Sequence, residues 1–276
     1  MRPATNMDKA VILARGLGTR MREADTAAAL DERQAAAAAS GVKALIPLGD
    51  RPFLDYLLTT LADAGYRRIC LVIGPEQDEI RDYYTRRVRL QRLSVEFAIQ
   101  DEALGTSDAV AAAAKFAGDD PFLAVNSDNF YPLEACQALR ALPGAGLVLF
   151  ERDAMLARSN ISADRVSKFA VGDIDEQGCL RRIIEKPDAE TLAGLPRPLW
   201  LSMNCWRFGP AIFPACRSIP LSPRGEYEIV AAVQYAIDEL GERFHAVCMR
   251  DPVLVLTSRG DIAPVAARLT GMEIRL

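Results

Sequence analysis

The stretch that most restricts what this chain can fold into lies near its amino terminus, Lys9–Arg22, KAVILARGLGTRMR. Ala10 to Ala14 is a short aliphatic run of the kind that becomes a buried parallel strand. It passes directly into Arg15-Gly16-Leu17-Gly18-Thr19-Arg20. The two glycines, Gly16 and Gly18, let the backbone turn sharply and leave its N–H groups open to an anion. Thr19 adds a hydroxyl, and Arg20 a permanent charge on a forked donor. A strand ending in such a loop is a phosphate-binding arrangement. The dinucleotide fingerprint would need a glycine where Met21 stands, and a Walker loop would need a Lys-Ser or Lys-Thr that does not follow. Taken alone, the loop also reads as an ordinary strand-to-helix turn.

The rest of the chain alternates strand and helix. An alanine-rich tract from Glu23 to Ser40, stopped by Gly41, predicts one helix, either a mobile cover or a close helix–helix contact. Pro52 opens a helix to about Ala64, with Phe53, Leu54, Leu57, Leu58 and Leu61 at helical spacing. Arg68–Gly74, Val95–Ile99 and Pro121–Val125 read as strands, with a short helix over Glu76–Tyr84. Another helix follows Gly105 as far as about Phe116, with Thr106 or Ser107 as its N-cap. The pattern predicts a doubly wound, mostly parallel α/β sheet with helices on both faces. Ligands sit at the carboxyl ends of such strands, where Gly16, Gly18, Gln100 and Asp128 fall.

The second half has few helices between its strands. Leu147–Phe150, Arg165–Val171, Leu180–Glu185 and Leu199–Arg207 read as a mixed extension of the same sheet. Helices around Pro210–Cys216 and Glu226–Leu240 follow, then strands near Phe244–Cys248 and Val253–Leu256 and a last helix from about Asp261. No linker or repeat divides the 276 residues, which are expected to form one domain.

Composition removes several function classes. The 33 basic against 37 acidic side chains leave a net charge of −4, which gives no support to nucleic acid binding. The cluster Arg86, Arg87, Arg89 and Arg92 reads as a solvated face. No apolar run is long enough to span a membrane, and the amino terminus lacks a secretory core with a cleavage site. Six cysteines with no CxxC pair indicate buried free thiols in a reducing cytoplasm. The single histidine, His245, has no GxSxG elbow to serve and cannot form a histidine zinc site.

The ordered motifs together resemble the sugar-1-phosphate nucleotidyltransferases, which make NDP-sugars. LARGLGTRM is followed by KALIPLGDRPFLDYLLTTLADAGYRRICLVIG, then QDEALGTSDAV at Gln100–Val110 and NSDNFYP at Asn126–Pro132. EKP at Glu185–Pro187, MNCWRF at Met203–Phe208 and RGEYE at Arg224–Glu228 complete the set, from residue 9 to about 269. The resemblance implies a GT-A-like fold and conversion of NTP and a sugar 1-phosphate, or a cyclitol phosphate, to NDP-sugar and pyrophosphate. UTP or dTTP is favoured by the QxExLGT pattern, with GTP or ATP also open. It implies a nucleotide half to about residue 130 and a sugar-phosphate half from about 131 to 276. The partners would be these small molecules, with a homo-oligomer also open. In-line reaction of two anions calls for cations and Mg²⁺ more than a general base.

By the same resemblance, Leu13, Ala14, Gly16, Gly18 and Thr19 would hold the nucleotide, and Arg20 the leaving pyrophosphate. Lys43 would neutralise the α-phosphate. Gln100 with Gly105 and Thr106 would read the base edge, and Asp128 would bind Mg²⁺. Glu185, Lys186 and Asn204 would take the sugar phosphate. Three departures stand out. Arg15 replaces an alanine or glycine, and could pair with a phosphate or restrict the base pocket. Asp164-Arg165-Val166 replaces a common Gly-Arg-Ile. Val255 stands where a second metal carboxylate is expected, and Asp251, four residues away, is roughly 13 Å off along an extended strand. Two alternatives to the enzyme therefore remain: a catalytically weak relative binding nucleotide or sugar nucleotide as a regulatory subunit, and a GT-A glycosyltransferase.

Overall fold

Four aliphatic runs form the parallel centre of the sheet: β1 (Lys9–Leu13), β2 (Arg68–Ile73), β3 (Ser94–Ile99) and β4 (Phe122–Asn126). The computed structural model describes residues 7–25 and 27–276; the amino-terminal six residues and Thr26 lie outside it. The second half adds β5 (Gly146–Glu151), β6 (Val171–Ile174), β7 (Leu180–Ile184), β8 (Trp200–Phe208) and β9 (His245–Met249). The main order is β7-β6-β8-β4-β1-β2-β3, with β5 pairing β8 and β9 pairing β5. β8 runs antiparallel to β4, β5 and β6, so the extension is mixed as expected.

Register decides where the site falls. Leu13 lies opposite both Val72 and Asn126, and Ile73 opposite Ile99. The carboxyl ends of β1 to β4 are therefore level. Backbone bonds continue past them, from Ala14 N to the Val72 oxygen, Gln100 N to that of Ile73 and Ser127 N to that of Leu13.

Alternating side chains bury both faces of the sheet. On one face Ala10 and Ile12 meet the helix Phe53–Asp63, which buries Leu54, Leu57, Leu58 and Leu61, and the helix Leu133–Ala141. On the other Val11 and Cys70 meet Thr106–Ala112, Ile212–Ser218 and Ile229–Asp238. Truncating one such leucine, Leu57→Ala, would cost about 2–5 kcal/mol. A third apolar cluster joins Met21 behind the glycine loop to Ala38, Ile46, Phe53, Leu256 and Ile262.

Several expectations are corrected. The alanine tract is not helical from Glu23; its helix is Glu32–Ser40. Asp31 starts it, accepting from Gln34 N at 2.7 Å while Gln34 Oε1 accepts from Asp31 N. This capping box outweighs alanine propensity upstream, where Asp25 instead binds Ala27 N. Arg165–Val171 is not a strand. Ala163–Val166 is a helical turn, because Arg165 is drawn to Asp261 at 2.6 Å and Thr257 at 2.9 Å. The helix after Gly105 breaks at Ala113, and Thr106 does not cap it; its hydroxyl accepts from Ile229 N at 2.9 Å. Helices Leu133–Ala141, Arg152–Arg158 and Ala189–Gly194 were not predicted. Five cysteines are buried and Cys248 is exposed. Among the described residues no helix is long and apolar enough to cross a membrane.

Candidate active site

A cleft of about 360 Å³ opens at the level strand ends. Leu13, Ala14, Gly16 and Thr19 reach it from the first strand and its loop. Lys43, Gln100, Gly105, Thr106 and Asp128 reach it from four other segments. Nine residues expected to hold nucleotide or metal thus meet in one place. Gly18 and Arg20 are not on its walls.

Gly18 shapes the loop from behind. It sits at φ +62°, and a Cβ there would lie 2.1 Å from the Gly41 carbonyl oxygen. Only glycine lets the loop close on the end of helix Glu32–Ser40, and Arg22 completes the join through two bonds to the Ser40 oxygen. Arg20 is exposed, with no hydrogen bond or ion pair among the described residues.

Gln100 is 4% exposed. Its amide nitrogen donates to the Gly105 oxygen at 3.0 Å and to Asp108 Oδ2 at 2.8 Å. Both partners only accept, so the amide has one orientation and offers its oxygen to the cleft as an acceptor. Gly105, at φ +106°, packs where a Cβ would meet the Tyr227 oxygen at 2.6 Å. Tyr227 N donates to the Leu104 oxygen and Ser107 N to that of Tyr227, so the Leu104–Ser107 loop is held from the second half.

Arg15 crosses this end of the cleft. Its Nε donates to the Gln100 oxygen at 2.5 Å and Nη2 to that of Asp101 at 2.9 Å, with Glu76 at 3.6 Å. Gln77 braces the same corner, bonding both the Ala14 oxygen and Gly74 N.

Lys43 Nζ donates to Asp128 Oδ2 at 2.9 Å. Two of the three predicted catalytic charges, Lys43 and Asp128, therefore neutralise each other, half-buried, beside the loop. Asp128 is followed by a short ribbon in which Val255 lies opposite Asn129, and Leu256 N donates to the Asp128 oxygen. The aligned position of Val255 is thus adjacent to Asp128, and it carries no carboxylate. Asp261 is occupied by Arg165, Thr257 N and Ser258 N, and Asp251 by Arg158. Among the described residues no three His, Cys, Asp or Glu side chains gather around a metal-sized point. Asp128 still fits Mg²⁺, which binds through one or two carboxylates with phosphate oxygens and water.

Glu185 and Lys186 line a second cleft, of about 470 Å³, with Arg224 and Glu228. Arg224 is the hub between the two. It pairs with Glu228, with Glu185 at 3.6 Å and with Glu226, a wall of the first cleft, at 3.9 Å. Burial pushes the Glu185 carboxyl up, Glu228 adds to this, and Arg224 opposes it. Asn204 lines neither cleft; its Oδ1 accepts from Trp206 Nε1 at 3.2 Å. Lys186 and Asn204 are the two non-glycine residues with positive φ among those described, +43° and +54°. Such strain persists where surrounding structure enforces it, commonly at functional sites.

Tyr131 enforces it at Asn204. Its buried hydroxyl lies 2.8 Å from the Met203 oxygen and 3.1 Å from that of Asn204, and accepts from Asn129 Nδ2 and Asn126 N. It ties the Asp128 turn to the irregular segment of β8 between Ser202 and Trp206. Tyr131, Arg224 and Glu226 were not singled out from sequence. The signal for the last two was the charge density of Arg224-Gly-Glu-Tyr-Glu; Tyr131 had none beyond its place in NSDNFYP.

Comparison with known proteins places these features. A nucleotidyl transferase family model matches residues 9–251. The chain is 28% identical over 240 residues to a low-salt glycan biosynthesis nucleotidyltransferase of Haloferax volcanii, covering 83% of this chain and 59% of that protein. It is 30% identical over 230 residues to a glucose-1-phosphate thymidylyltransferase of Streptomyces griseus, covering 83% and 57%. It therefore spans less than two thirds of those curated relatives. A solved UDP-glucose pyrophosphorylase from Acinetobacter baumannii shares the fold, with a TM-score of 0.74 over 97% of this chain and 95% of that one at 17% identity. With the motifs and the family match in agreement, the chain belongs to the nucleotidyl transferase family.

Proposed function

We propose that the chain joins the nucleotidyl group of UTP or dTTP to a sugar 1-phosphate, in the cytoplasm, and releases pyrophosphate. The observation that carries the reading is the cleft itself: a base-edge acceptor, a glycine loop and the Lys43–Asp128 pair meet at the carboxyl ends of four parallel strands.

A sugar-phosphate oxygen attacks the α-phosphorus, a new P–O bond forms, and the bond to the β-phosphate bridging oxygen breaks. The Gln100 oxygen accepts the N3–H of uracil or thymine. The N–H groups around Gly16 and Thr19 receive the phosphates, Lys43 meets charge growing at the α-phosphate, and Arg20 follows the leaving pyrophosphate. Mg²⁺, held by Asp128 with phosphate oxygens and water, supplies further charge neutralisation when bound. Glu185 holds sugar hydroxyls and Lys186 the sugar phosphate, while Asn204, whose Oδ1 is taken by Trp206, acts on that side through its strained backbone. A phosphate monoester is already ionised, so no histidine base is needed.

A pyrophosphate-release assay over four NTPs and a panel of sugar 1-phosphates tests this. Release dependent on both substrates is expected. The single carboxylate beside Val255 favours the second reading, a regulatory binder. Nucleotide binding with no turnover on any pair would establish that reading and overturn the first.

A further inference from the structure

The guanidinium of Arg15 occupies a place that the reaction does not explain. It grows from the residue before Gly16, yet it points away from the phosphate loop. Its side chain is 10% exposed and makes two bonds to consecutive backbone oxygens, those of Gln100 and Asp101. Gln100 is the residue whose amide is locked as an acceptor on the same cleft wall. Arg15 therefore grips the backbone of the base reader while lining the cleft beside it.

Two consequences follow from these contacts. The first concerns position. The Gln100 amide is fixed at its tip by Gly105 and Asp108, and at its root by Arg15 and by its own N–H to Ile73. Its oxygen is held at both ends, so one hydrogen-bonding distance to a base is favoured. The second concerns space. An arginine side chain has about as many heavy atoms as a pyrimidine base, and this one is packed within the base end of a small cleft. A second fused ring would need the room it fills. Guanine also carries a ring N–H that the Gln100 oxygen could accept, so hydrogen bonding alone does not reject it. Bulk must do so.

We propose that Arg15 is the base-size determinant of this site, bracing Gln100 and excluding purine nucleotides by occupying the space of their second ring. The proposal rests on the nucleotidyltransferase reading for the identity of its ligand. Glu76, more than half exposed and 3.6 Å from Nη2, is an accessory partner.

The test is equilibrium binding of UTP, dTTP, GTP and ATP by calorimetry, with turnover measured in parallel, for the wild type and for Arg15→Gly, Arg15→Lys and Glu76→Gln. The wild type is expected to prefer the pyrimidine nucleotides. Arg15→Gly is expected to raise purine affinity relative to pyrimidine about 10- to 100-fold. Arg15→Lys keeps charge and length, but one ammonium cannot replace the two-point fork, so the ratio should move in the same direction by less. It also serves if the glycine variant fails to fold. Glu76→Gln leaves both carbonyl bonds in place and should keep the wild-type ratio. A ratio unchanged in both Arg15 variants, or a purine preference in the wild type, overturns the proposal. Selective binding without pyrophosphate release would remove the proposed reaction and leave the role of Arg15 decided by the binding ratios. No binding of any nucleotide would remove both.

Discussion

Replacing Tyr131 with phenylalanine deletes one oxygen and leaves the ring, which is fully buried, in place. That oxygen accepts from Asn126 N at 3.2 Å and Asn129 Nδ2 at 3.0 Å, and lies against the carbonyls of Met203 and Asn204. Asn129 Nδ2 and the Met203 oxygen still have each other at 3.1 Å after the change. The Asn126 N–H and the Asn204 carbonyl lose a partner at partly buried positions, at about 1–3 kcal/mol each. The expected loss is therefore about 2–6 kcal/mol, read as a fall in Tm of about 4–24 °C for a chain of this size. The same deletion releases the positive-φ backbone at Asn204, so KM for the sugar phosphate should rise about tenfold while KM for the NTP moves little. Chemical denaturation and a two-substrate kinetic grid measure the two effects. A Tyr131→Phe protein of wild-type stability would refute the hydrogen-bond accounting. A loss of stability with both KM values shifted equally would refute the link to the sugar side.

Arg20→Ala should lower kcat about 10²–10³-fold with Tm unchanged, because Arg20 is exposed and makes no side-chain hydrogen bond or ion pair among the described residues; a drop in Tm with activity intact would make it structural. Gly18→Ala must either leave φ +62° or collide with Gly41, and should cost about 1–3 kcal/mol while raising KM for NTP, as denaturation and initial rates would show. Asp55 is wholly buried between the Tyr83 and Tyr84 hydroxyls, and burial raises its carboxyl above the ordinary value of 3.8. The folded chain thus holds that proton to higher pH than the unfolded one, so its contribution is greatest below 3.8 and declines as pH rises through the folded value. Asp55→Asn should remove that decline from urea midpoints measured against pH; an unchanged slope would contradict it.

The parallel centre of the fold was readable because three of its four strands carry continuous apolar runs, as at Ala10–Leu13 and Ile69–Ile73, and the edge strand Ser94–Ile99 is broken only by Glu96. The cleft was readable because strand ends are where such sheets bind, and Gln100 and Asp128 are polar residues at those points. What escaped prediction depends on partners far away in sequence. The alanine tract has helical propensity throughout, yet one aspartate sets the start. Arg165 sits in a run that reads as extended, but its ion pair with Asp261 lies 96 positions on. Thr106 follows a glycine as a cap should, and its hydroxyl is claimed by Ile229. Arg15 was visibly unusual, but nothing in its neighbours distinguishes a phosphate contact from a grip on Gln100.

The clasp between Gly105–Ser107 and Tyr227–Ile229 bears on how the protein is born. Ser107 N is bonded to the Tyr227 oxygen and Ile229 N to Thr106, contacts spanning more than a hundred positions. β4 needs β8 as its outer neighbour, and the Asp128 turn is bonded to Leu256. The Gly105–Ser107 loop therefore cannot take its final shape while only the first half has left the ribosome. Nucleotide in the cell has no finished pocket on the nascent chain, and closing such long loops makes assembly slow. A fragment ending near residue 130 would carry most of the residues proposed to meet phosphate and still be unable to present them, so the two halves are not separable modules.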